Sequence, residues 1–138
     1  MTQDPMHRPP LHPPSAVEME AMAEEALATI PEPLRVHVRN VLIRVEEFPD
    51  EDTARDMELE SPFDLLGLYS GVDLTRQSVS DVRLEPDAIF LYRRPILDYW
   101  CETGEDLFHV VRHVLIHEIG HHFGFSDDDM ERIENGGE

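Results

Sequence analysis

Apolar residues recur along the chain with two different periods, and the changes of period mark its elements. From Ser15 the spacing is helical: Met19, Ala23, Ala26, Leu27 and Ile30 fall on one stripe, and Glu18, Glu20, Glu24 and Glu25 form a solvated side. Ser15 followed three residues later by Glu18 is a capping box, and it comes directly after Pro14, so the start is sharp. Pro31 and Pro33 stop the helix, and a short helical turn over Leu34 to Val38 is expected before Asn40. At Val41 the period becomes two. Val41, Ile43 and Val45 point one way and Leu42, Arg44 and Glu46 the other, the pattern of a half-buried strand, which Pro49 ends. The acidic stretch Asp50 to Glu60 predicts one exposed helix over Thr53 to Leu59, closed by Pro62.

Leu65 to Ser70 reads as a second strand, bounded by Gly71, and Gly67 inside it marks a place where another backbone comes close. Ile89 to Arg93 makes a third strand after Pro86 and Asp87, and Leu97 to Trp100 leads on to the last helix. Thr103 is the expected N-cap of that helix, with Glu105 and Asp106 in the first turn, where the helix dipole favours negative charge. Leu107, Val111, Val114, Leu115 and Ile119 give it a broad buried face. Before the first helix, Met1 to Pro14 carries five prolines and almost nothing apolar, so residues 1–14 are expected to be a disordered arm, His7 and His12 included. Residues 131–138 are expected to be a loose tail, leaving 15–130 as one domain.

Composition narrows the possible partners. Thirty Asp and Glu against eleven Lys and Arg give a formal charge of −19, which repels phosphate backbones and anionic lipid surfaces. No nucleic acid or membrane partner is expected, and Arg93 and Arg94 are expected in ordinary ion pairs. A single cysteine, Cys101, excludes an internal disulfide and a cysteine-rich structural zinc site. No apolar run is long enough to cross a bilayer or form the core of a signal peptide, so a cytoplasmic monomer is expected.

The chemistry is concentrated in the last helix. His117 and His121 stand four residues apart, rotated about 40° from one another on a helix, so they project from one face and can grip one ion. Glu118 lies on the flank, where it can take a proton from a water held by that ion; together these are the HExxH arrangement of zinc hydrolases. The pattern continues through Gly124 to Asp127 as HExxHxxGxxD. On an unbroken helix Asp127 would lie about 15 Å along the axis from His117, too far to share an ion whose ligand bonds are about 2 Å. The helix must therefore break, and Gly124 is suited to break it, because glycine enters the left-handed conformation without a Cβ penalty. Gly120 costs about 1 kcal/mol inside the helix relative to Ala, which implies close approach of another segment behind it. His113 can line the pocket, but each step down the ladder adds about 6 Å. His122, rotated about 100° from His121, is expected to pack off the metal face.

The segment HEIGHHFGFSDDDM resembles the small bacterial minimal-metalloprotease-like, or zincin-like, family, and its HExxHxxGxxD looks like a shortened metzincin motif with Asp for the third His. LLGLYSGVDLTRQSV and PDAIFLYRRPILD resemble the body of that family. Metzincins place a methionine turn well downstream of the zinc helix, whereas here only Met130 follows Asp127. The resemblance implies an α+β zincin-like domain, a short mixed sheet packed on the HExxH helix and an N-terminal helix. It also implies that the strand containing Gly67 pairs with an extended peptide or protein substrate; a plain core strand is the alternative.

The expected site holds Zn2+ on His117, His121 and Asp127, leaving the fourth position to water, with Glu118 as general base in peptide hydrolysis. Tyr69 and Tyr92 are candidates for stabilising the oxyanion. A zinc-stabilised peptide-binding module without activity is the rival reading. Glu131 and Glu134, which another class of zinc enzyme would use as third ligand, stand too near His121 in sequence for that geometry.

Overall fold

The computed structural model describes residues 12–71 and 87–136. The expected arm therefore lies almost wholly outside the described residues, as does most of the second resembling segment after Gly71. Helix α1 (Ala16–Ala28) starts with the capping box as expected: the Ser15 hydroxyl accepts from the Glu18 N–H, and the Glu18 carboxylate accepts from the Ser15 N–H. A single turn, α2 (Glu32–Arg35), leads to strand β1 (Leu42–Glu46), and α3 (Glu51–Asp56) follows. Helix α3 sits two residues earlier than its periodicity implied, because the Asp50 side chain caps it by accepting from the Thr53 N–H.

A three-stranded mixed sheet forms from β1, β2 (Gly67–Ser70) and β3 (Ala88–Tyr92). Strand β3 is central, parallel to β1 in the register Ile43 to Ile89 and antiparallel to β2 in the register Tyr69 to Ile89. Its Ile89 and Leu91 are fully buried, as a strand with neighbours on both sides requires.

Strand β3 runs straight into α4 (Arg93–Thr103), which ends in a left-handed Gly104. The expectation that Leu97 to Trp100 merely leads into the next helix is thereby corrected: it belongs to a helix of its own, with Pro95 in the first turn, where its missing N–H costs nothing. The Thr103 cap is corrected too. Gly104 turns the chain, Thr103 closes α4 by bonding the Tyr99 carbonyl, and Asp106 caps α5 (Leu107–His122) by accepting from the Phe108 N–H. A final helix, α6 (Asp127–Glu134), continues where a loose tail after Met130 was expected. It holds because Met130 and Ile133 bury one side, Ser126 caps the start by accepting from the Asp129 N–H, and Arg132 pairs with Asp129.

Helix α5 is the centre of the packing. Its Val111, Leu115, Ile116 and Ile119 are sealed from solvent between α1, the sheet and α6. Each such side chain contributes about 1.5–3 kcal/mol by burial. This is what anchors the face carrying the histidines. Arg93 and Arg94 both pair with Glu47, tying the start of α4 to the end of β1, and Arg93 also donates to the Pro14 carbonyl.

Candidate metal centre

Three histidines of α5 rise in a ladder on the side facing away from the core. The His113 and His117 rings lie 4.0 Å apart between centroids, and His117 and His121 lie 5.9 Å apart, nearly edge to face. Burial of the opposite stripe leaves this face no other direction to point.

The ladder stops where the chain turns. Gly124 adopts φ +81, the Gly124 N–H donates to the His121 carbonyl and the Phe125 N–H donates to the Gly120 carbonyl, a Schellman closure. Three residues after Gly124, α6 begins and folds back along α5. Its fit depends on Gly120, where an added Cβ would lie 2.6 Å from Met130 Cγ and closer still to Met130 Sδ. The close approach implied by a glycine inside the helix is thus made by Met130, which is fully buried there. Gly67 plays the same part for the sheet, since a Cβ there would lie 2.6 Å from Val114 Cγ1. Strand β2 consequently runs directly beside α5, as an edge strand of the sheet.

Asp127 stands at the first position of α6, its side chain 91% exposed, with Oδ1 3.8 Å from His121 Nε2. Glu134, at the other end of α6, reaches further down the ladder. Its carboxylate lies 2.6 Å from His113 Nδ1 and 3.3 Å from His117 Nε2, and Arg112 holds the turn by donating to the Glu134 carbonyl. Glu134, set aside on its nearness to His121 in the sequence, is carried past that residue: after the reversal at Gly124, α6 runs back along α5, so its last turn falls opposite His113 and His117. Asp127 is brought to His121, and Glu134 to His117.

Burial is the main cause that lowers the His117 pKa, with His113 adding to it against the opposing pull of Glu134. A neutral imidazole is the form that binds a metal. Burial also raises the Glu118 carboxyl above the ordinary carboxylate range, opposed by His121 and by the Tyr69 N–H, which donates to it. Donors on one zinc ion stand about 2 Å from it, so they can be at most about 4 Å apart. The His121–Asp127 and His117–Glu134 separations both meet that limit, and the imidazole and carboxylate donors suit zinc.

His117 and Glu118 line a cleft of about 600 Å³ that continues past His113 to His109, with Leu65 to Gly67 along one wall and Tyr99 and Glu105 at the far end. Tyr69 and Tyr92, the oxyanion candidates, do not line it. The Tyr69 phenol donates to Asp87 at 2.6 Å, and its ring is stacked on His122 at 4.0 Å, which places His122 off the metal face. Tyr92 is buried; that burial first, then the charges of Glu46 and Asp50, push its pKa up to about 12. The tyrosine of the cleft is Tyr99, on a helix that periodicity did not reveal.

A small mixed sheet laid beside an HExxH helix, with an edge strand along the cleft and a glycine turn after the second histidine, defines a zincin-type domain. The zincin-like metallopeptidase family matches this chain over residues 38–137, and the chain belongs to that family. A search among curated proteins finds no match.

Proposed function

We propose that this protein is a zinc-dependent peptidase in which His117, His121 and Asp127 hold the ion and Glu118 is the general base. The observation that carries the reading is Glu118 itself: a half-buried carboxyl beside His117, in the cleft wall, with its pKa raised by burial. A structural zinc site has no use for such a group. The chemistry that zinc would supply there is a water whose pKa is lowered towards about 7 and polarisation of a peptide carbonyl.

The chain's own groups supply the rest. Glu118 accepts a proton from the attacking water on a carboxylate oxygen and passes it to the leaving amine, so no covalent intermediate with the protein is needed. The Tyr69 N–H, donating to Glu118, orients that carboxylate. The wall Leu65 to Gly67 runs into edge strand β2, where an extended peptide can add as a further strand. Asp127, whose exposed side chain stands 3.8 Å from His121, would be the third residue to hold the ion.

The deciding experiment is Glu118→Gln assayed on a broad peptide library. Zinc content should stay at one per chain while hydrolysis falls by at least about 10²-fold, the loss typical of a missing general base. Equal residual activity in wild type and variant on every peptide would sink the hydrolase reading and leave a peptide-binding module.

A further inference from the structure

We infer that His113, His117 and Glu134 form a second seat for a divalent cation, one helical turn below the proposed catalytic seat, and that the two seats exclude one another. The inference rests on the proposed catalytic site only for the exclusion; the seat itself stands on its own geometry. Among the described residues these are the three metal-binding side chains whose ligand atoms all lie within 4.8 Å of one another, so the group must draw together by about 1 Å to meet on one ion. Glu134 offers one oxygen to each histidine, at 2.6 Å and 3.3 Å. The group is anchored by Arg112 on α5, which donates to the Glu134 carbonyl and to the Thr29 hydroxyl just after α1. It opens onto the cleft, where water can complete a tetrahedron around an ion.

Two imidazoles and one carboxylate with an open position are a donor set for zinc or a similar transition metal, not for calcium or magnesium. His117 belongs to both i, i+4 pairs of the ladder, and its Nε2, the atom facing Glu134, has one lone pair and binds one ion. An ion on His113, His117 and Glu134 therefore leaves His121 and Asp127 without their partner. The upper seat works beside Asp127, and the lower seat holds the metal in a resting position.

The test is zinc titration into metal-free protein, followed by calorimetry, with cobalt absorption reporting the ligand set. The proteins compared include wild type, His113→Ala, His121→Ala/Asp127→Ala, and that double variant with His113→Ala added. His113, His121 and Asp127 are all more than half exposed at their side chains, so the fold should survive in each. Wild type should bind one zinc and not two. The double variant should still bind one, with a cobalt spectrum that differs from wild type. Adding His113→Ala, or Glu134→Gln in a separate protein, should weaken that binding by more than the roughly 10–100-fold that loss of an outer partner costs. Zinc on wild type but none on the double variant would overturn this seat and leave the catalytic one standing. Two zinc ions on wild type would overturn the exclusion, and zinc on no protein would overturn both seats. Zinc on the double variant with none on His113→Ala would support the lower seat and sink the upper.

Discussion

Glu118, the proposed base, is held half-buried at some cost to the fold. Half burial disfavours its charged form, so in the metal-free protein its pKa is raised in the folded state relative to the unfolded. The sign follows directly. Below the ordinary carboxylate pKa both states hold the proton and the group is neutral to stability. As pH rises through that value the unfolded chain releases the proton more readily, so stability is lost up to the folded pKa. Metal-free Glu118→Gln, which cannot ionise, should therefore melt higher than wild type at pH 8 and at nearly the same temperature at pH 4, within the usual range of about 0.5–3 kcal/mol for one substitution. Thermal melts of the two chelated proteins across this range check it; a variant that is less stable than wild type at pH 8 would show that the buried charge is no burden. His117 runs the other way: its lowered pKa keeps the ring neutral below the ordinary histidine pKa, where the unfolded chain already takes up a proton, so acid costs stability as pH falls through that value.

Among the elements, the pair α5 and α6 decides whether there is a site. Both carboxylates brought to the ladder, Asp127 and Glu134, ride on α6, and α6 is seated by Met130 against Gly120. Gly120→Ala puts a methyl group into Met130 and should cost about 1–3 kcal/mol as overpacking, despite the better helix propensity of alanine. It should also weaken zinc binding, because α6 must move. A double-mutant cycle with Met130→Ala isolates the contact: the two changes should cost clearly less together than the sum of their separate effects, by about 0.5–3 kcal/mol. Strict additivity would mean that Met130 does not seat the helix.

At the scale of the whole molecule, an ion held by the proposed ligands would tie α5 to α6. A ligand bound only by the folded state stabilises it by mass action, about 2.7 kcal/mol at a hundredfold excess over Kd. Chelation should accordingly lower the melting temperature by on the order of 10 °C in a domain of this size, and zinc should restore it. Unchanged melting with and without zinc, followed by calorimetry, would remove the metal from the account of this protein. The described residues contain no helix long and apolar enough to cross a membrane.

The local signals were legible wherever chemistry and conformation are set by near neighbours. The capping box at Ser15, the alternation of β1, the i, i+4 pairing of His117 and His121, and the break at Gly124 depend on spacing within a few residues, so the chain displays them openly. Gly67 and Gly120 showed that something approaches closely without showing what, since Val114 and Met130 are named only by packing. The start of α5 was misplaced because Thr103 and Asp106 are both good caps, and only the left-handed Gly104 chooses between them. The position of Glu134 was beyond local reasoning altogether. Distance along the chain puts it past His121; the reversal of α6, driven by burial of Met130 and Ile133, puts it against His113 and His117. The sequence by itself determined the HExxH pattern, from which the proposed donors and base are read, and the glycine turn; which carboxylate meets which histidine was decided by how two helices pack, a balance of buried surface summed over residues far apart in the chain.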